Sequence, residues 1–389
     1  MQMWAINWHV YGLTHKAISL GLIGLFRVVP IVLFSLLGGT VADAWDRRRV
    51  MLVTQSVLAA VAMVLGVLTW TNHINAYGIY GLTMVGAAAT AFDNPARQSL
   101  IPRLVSREDL TNAISLNSVI MRTSTILGPL FAGVLIGRGN LTITYISNAI
   151  SFIAVIAALL AMRKRDDPPQ VQQEPEQERT PVSWGSLKEG FHFVQQTPIL
   201  VWTIWLDFFA TFFSSANSLL PIFARDILHS GARGYGVLAA AQAVGSLTAG
   251  VAVAFGKPFS RQGKVVLWSV FIYGIATVLF GASRWFLLSW LALALVGASD
   301  GISTILRQTI RQLVTPDRLR GRMTAFNMIF FMGGPQLGEF EAGLAANWLG
   351  GPWSVIVGGM GCLLTVGWVA SRAPALRKYD SADSLGANI

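Results

Sequence analysis

The chain has 389 residues, 53% hydrophobic and only 12% charged, with a mean hydropathy of +0.55 and a formal net charge of +10. A soluble domain carries about twice that charged fraction, so the balance argues against one. The basic excess does not point to nucleic acid either, because its residues fall in short clusters between apolar runs rather than on one polar face. The single cysteine, Cys362, excludes a disulfide framework and a cysteine metal site.

About 20 mostly apolar residues span a bilayer. In chain order the sequence predicts twelve spans, at 1–13, 18–42, 50–71, 77–101, 111–137, 140–162, 198–224, 233–256, 264–283, 285–310, 322–347 and 351–371. The first run, MQMWAINWHVYGL, is short and lacks a basic n-region and a cleavage site, so no cleavable signal is expected there. Residues 163–197 begin RKRDDPPQVQQEPEQERTP, a charged, Pro- and Gln-rich composition that reads as a linker, with a surface helix at 183–196. The expected division is therefore a six-helix bundle at 1–162, the linker, a second bundle at 198–372 and a tail at 373–389.

Of the 29 lysines and arginines, 20 fall in the linker, the tail and the loops after even-numbered spans. Five lie on the other side, Lys16, Arg138, Arg225, Arg233 and Arg284, and four lie within spans. The positive-inside rule places the first group, and with it both termini, in the cytoplasm.

The second bundle repeats the first. GKPFSRQGK at 256–264 follows span 8 as GTVADAWDR at 39–47 follows span 2. NPARQSLIPRLVSREDL after span 4 matches ILRQTIRQLVTPDRL after span 10, and GPLFAG in span 5 matches GPQLGEFEAG in span 11. Three places agree in order, which marks a duplication of six helices with both copies oriented alike. By that alignment the first copy is about twenty residues shorter at its front, so Met1 is expected to lie inside the first helix.

Twelve helices as six plus six, with those loops, resemble the major facilitator superfamily. Its loop pattern (Gly, three residues, Asp-Arg, one residue, Gly-Arg-Arg or Lys) is met by Gly39, Asp43, Arg47 and Arg48, while Ala44 and Asp46 depart from it. Gly256, Arg261, Gly263 and Lys264 match in the second half, where Ser260 replaces the aspartate. With QTIRQLVTPDRLRGRMTAFN at 308–327 and GPLFAG, the chain resembles the branch of enterobactin and macrolide exporters. The resemblance implies an all-α fold of two bundles that rock about a midplane site. It also implies that Asp43 latches one half to the other at the cytoplasmic face. The arginine that many drug exporters carry early in span 4 is absent from IYGLTMVGAAATAFDNP, and their antiporter signature in span 5 is reduced to one glycine.

Charges at bilayer depth are costly and face a cavity or a partner. Arg27, about eight residues or roughly 12 Å from the outer end of span 2, and Arg122 in span 5 are candidates to line a substrate cavity. Asp93 and Arg97, four apart, share a helix face and are expected to neutralise each other, with Arg307 in a similar structural or gating role. Asp207, Asp300, Glu339 and Glu341 are the candidate proton-coupling carboxylates. Glu339 and Glu341 sit about 200° apart around one helix and cannot both face the same cavity. The five histidines show no metal-ligand spacing and no phosphate-binding loop is present.

The sequence thus predicts no enzyme, cofactor or metal. Together with the resemblance, which alone implies the export direction and the proton antiport, it predicts a monomeric exporter of a small organic molecule in a bacterial inner membrane. A lipid or lysolipid transporter, or an uptake symporter, is the alternative.

Overall fold

The computed structural model describes the backbone of residues 1–106, 108–162, 184–257 and 259–380, and the side chains there except 35–44, 103 and most of 184–190 and 317–332. Every regular element among them is helical. The first half runs α1 (Gln2–Thr14), α2 (Ala17–Ala44), α3 (Arg47–Trp70), α4 (Ala76–Leu104), α5 (Leu110–Gly137) and α6 (Leu141–Ala161). After α7 (Trp184–Gln196), α8 (Pro198–Phe213) opens the second half. It is followed by the one-turn α9 (Leu220–Ile222), α10 (Gly231–Phe255), α11 (Gln262–Ala282), α12 (Phe286–Val314), α13 (Asp317–Leu349), α14 (Gly351–Arg372) and α15 (Pro374–Lys378). Nine segments among the described residues are long and apolar enough to cross a membrane. With α1, α4 and α13 they make two sets of six.

Local chemistry fixes the ends. The side chains of Asn75 and Asn140 accept from the backbone N–H groups of Gly78 (2.8 Å) and Ile143 (2.9 Å), so α4 and α6 begin at N-caps. Gly350, with φ of 86°, makes the abrupt turn from α13 into α14 that a side chain would strain. The seventh span is not one straight helix, as 198–224 suggested. It stops at Ser214, passes through a 3₁₀ turn at Ala216–Leu219 and ends in a π-helical turn at Phe223–Ile227. Thr211 and Ser215 donate back to the carbonyls of Asp207 (2.8 Å) and Thr211 (2.5 Å) just where the helix ends, the type of competition that weakens a helix.

Within the first half α2 and α3 pack on α4, and α3 on α6. In the second, α10 and α11 pack on α12, while α14 contacts α8, α11 and α13. The halves join mainly through α2 on α13 and α5 on α10. The hydrophobic core shows how. One continuous cluster takes Leu20 and Tyr145 from the first half together with Phe223, Leu238 and Phe280 from the second. It occupies the end of the bundle opposite the basic loops. At the basic end the core divides, into Leu200, Val266 and Ile310 of the second half and Val50, Met51 and Ala96 of the first. From Thr111 to Thr125 α5 is exposed around its whole circumference, with Ala113 and Asn117 only partly covered. Among the described residues, the halves share one core at one end and hold separate cores at the other.

Candidate functional site

Closure rests on two helix crossings that correspond under the duplication. On one, a Cβ added to Gly343 of α13 would lie 2.5 Å from the Cα of Gly21 in α2. On the other, a Cβ on Gly133 of α5 would lie 2.7 Å from the Cα of Gly236 in α10. Each crossing is therefore backbone against backbone, the close approach that small residues permit in a membrane. Between them α1 bridges the halves. The Tyr235 hydroxyl donates to the Trp4 carbonyl at 3.0 Å, and its ring lies 5.9 Å from that of Trp4 and 5.3 Å from that of Trp8. The Tyr11 hydroxyl donates to Asp226 across the same divide.

The first crossing also carries charge. Arg27 of α2 lies 3.8 Å from the Glu339 carboxylate of α13, with side-chain exposures of 24% and 10%. Of the two cavity candidates, Arg27 thus faces a partner in the other half. Arg122 stands exposed on the uncovered stretch of α5, with no carboxylate within 4 Å among the described residues. Glu341 is only partly covered and does not join the Arg27 contact, as its azimuth requires.

Each half holds a further buried charge cluster. Asp93 accepts hydrogen bonds from Thr54 and Gln55 of α3, both at 2.8 Å, and from Arg97 at 2.7 Å. Three donors satisfy it, so Asp93 and Arg97 form the packed pair their spacing suggests. In the second half Asp207 is held by Arg307 at 2.9 Å and Arg311 at 3.5 Å, and Arg311 also donates to the Thr203 carbonyl at 3.2 Å. Asp300 reaches Arg307 only at 3.7 Å and keeps a side-chain exposure of 48%, against 9% for Asp207. Beside it a cavity of about 10 Å³ is lined by Asp300, Arg307, Ser303 and Tyr273, large enough for a single water.

Arg311 is the residue that sequence reasoning missed. A span ending at 310 placed it in a loop, whereas α12 continues to Val314 and buries it. Its signal was the four-residue spacing from Arg307, which puts both guanidinium groups on one helix face.

The loop motifs act locally. Asp46, where the family pattern has glycine, caps α3 by accepting from the Arg48 N–H at 2.9 Å. Arg48 donates to the carbonyls of Leu159 (2.7 Å) and Leu160 (3.0 Å) and so closes the end of α6. Arg47 is partly covered. The side chains of Gly39 and Asp43, and with them the latch expected there, lie outside the described residues. In the second half Gly256 follows α10, Arg261 takes a left-handed φ of 55° ahead of α11, and Lys264 is exposed. Among the described residues no group of three or more His, Cys, Asp or Glu is gathered as a metal site requires.

Two helical sets that share a core at one end, with the Arg27–Glu339 pair between them, make a two-bundle membrane fold, and the family and relatives that it matches are membrane transporters of small organic molecules, not enzymes. The chain belongs to the major facilitator superfamily: the family described as transmembrane secretion effector matches residues 1–388. It is 27% identical over 275 residues to the staphyloferrin A transporter of Staphylococcus aureus, covering 70% of this chain and 67% of that one. It is 24% identical over 322 residues to the enterobactin exporter EntS of Shigella boydii, covering 82% and 74%. Among solved structures, a point mutant of the nucleoside transporter NupG superposes with a TM-score of 0.75 at 11% identity, covering 95% of this chain and 94% of that one. A bacterial homologue of the human lysosomal transporter Spinster, inward-facing and occupied, gives 0.73 at 12% identity and 97% of both chains. At such identity the likeness is one of fold.

Proposed function

We propose that the protein exports a small, polar organic molecule of siderophore or macrolide type from the cytoplasm of a bacterium, exchanging it for protons. The basic end is cytoplasmic by the positive-inside rule, and the bundles 1–162 and 198–372 are the moving bodies. The observation that carries the reading is the core that is continuous at one end and divided at the other, since it leaves an opening toward the basic side. Substrate enters there, past Arg122 of α5. Coupling requires only that protonation and substrate occupancy favour different arrangements of the halves. Glu339 is the first coupling carboxylate in this reading, supported by its contact with Arg27, since protonating it would remove that attraction and loosen the closed end. Asp300, half-exposed and weakly held, is the second coupling carboxylate, whereas Asp207 is engaged by two arginines and serves as structure. The names of the siderophore-handling relatives support the substrate class.

Purified protein in liposomes, loaded with a labelled siderophore or macrolide, tests this with an imposed pH difference. Transport should follow the proton gradient and collapse with an uncoupler; transport indifferent to the gradient overturns antiport. The exposed circumference of α5 favours a second reading, a lipid or lysolipid substrate entering sideways from the bilayer. A binding panel of siderophores, macrolides and lysolipids separates the two.

A further inference from the structure

At the basic end of the second half, α11, α14 and α15 enclose a groove of about 380 Å³. Its walls are apolar, with Leu267, Trp268 and Phe271 from α11 facing Val366 and Ala370 from α14. Its mouth is cationic, formed by Lys264 and Arg377. Lys264, Trp268 and Phe271 follow the i, i+4, i+7 stripe of one helix face, so the groove descends roughly 10 Å from the charged end into the apolar zone.

The groove is built rather than accidental, because α15 is stitched down over it. The Gly263 N–H donates to the Tyr379 carbonyl at 3.3 Å, the Arg261 N–H to the Asp380 carboxylate at 3.0 Å, and Leu376 is fully buried. This holds Arg377 on the same groove as Lys264 while both stay exposed. Arg372 and Lys378, also exposed, add two more cations at the ends of α14 and α15.

We propose that this groove binds an anionic phospholipid of the adjoining leaflet, its phosphate held by Lys264 and Arg377 and an acyl chain laid against Trp268, Phe271 and Val366. The pairing of charge and apolar wall selects that occupant. A soluble anion gains nothing from the walls, and a neutral lipid gains little from the mouth, where each basic residue near a membrane surface contributes measurably toward anionic headgroups. The site lies on the outer wall of the second half, away from the opening between the halves, and does not depend on what is transported.

Native mass spectrometry of the purified full chain with added dioleoyl phosphatidylglycerol or dioleoyl phosphatidylcholine tests the assignment. Phosphatidylglycerol should be retained about tenfold better. The K264Q/R377Q variant should lose that preference, and Ala370→Trp, which fills the groove without touching a charge, should lose it too. Arg49→Gln, at the basic end of the first half, should keep it. Equal retention of the two lipids, wild-type retention in both groove variants, or an equal loss in Arg49→Gln overturns the site. Displacement of phosphatidylglycerol by an equal concentration of glycerol phosphate also overturns it, since the walls would then contribute nothing. A lipid carried as transport substrate instead binds in the central opening and persists in both groove variants, which separates failure here from failure of the transport reading.

Discussion

The two crossings that close the molecule are alike in shape and unlike in charge. Where α5 meets α10, Gly133 lies on Gly236 beside the carbonyl of Pro129, and one turn further out the stem of Arg233 packs on Gly137, with no carboxylate paired to it among the described residues. Where α2 meets α13, the same glycine contact is followed by Glu339, one turn deeper on α13, and by Arg27, six residues deeper on α2. Duplication supplied the shape twice, while the ion pair stands on one side. Both seams thus close the molecule, and the sensitivity to protons proposed above would belong to only one of them.

The largest effect expected from breaking this comparison comes from shape. Gly133→Val and Gly343→Val each drive a branched side chain into backbone and should cost the closed end about 1–3 kcal/mol, shifting its population by about 5- to 150-fold. Pulsed electron resonance distances between labels at His73 and Arg284 would read the opening. Equal shifts at the two seams sustain the symmetry, and a shift at only one breaks it.

Charge comes next. Glu339→Gln leaves Arg27 without its partner at 3.8 Å. As Arg27 is partly exposed, the loss is put at about 1 kcal/mol, or roughly fivefold. The sharper readout is pH. On the coupling role proposed for Glu339, the Gln variant should open more at neutral pH and respond less to acid than the parent protein. Gly133→Ala should leave the pH response intact.

The smallest effect is expected at Arg49→Gln, whose contact with Asp46 is 4.0 Å long and largely exposed. Thermal unfolding should register less than about 0.5 kcal/mol. A larger loss would mean that the basic loop contributes to closure from the far end.

The duplication, the order of the helices and the Asp93–Arg97 pair were all legible in the sequence, because they rest on local period and spacing. So was the divergence of Glu339 and Glu341, which follows from helical geometry alone. The partner of Glu339 was not legible. Arg27 lies more than 300 positions away, and their meeting depends on how two helices from different halves cross. Arg311 was lost to a boundary set a few residues early, and boundaries depend on packing more than on hydropathy. The break in α8 left a faint trace in Ser214, Ser215 and Pro221, none of which forces a helix to stop. The groove beneath α15 was invisible, since a five-residue helix carries no periodic signal of its own.

The glycine contacts have a mechanical meaning as well. A gate made of side chains opens by rotamer changes, whereas a seam of backbone on backbone parts only when whole helices separate. Under the transport cycle proposed above, Gly21 with Gly343 and Gly133 with Gly236 would come apart together with the Trp4–Tyr235 bridge, and the closed end would open as a unit.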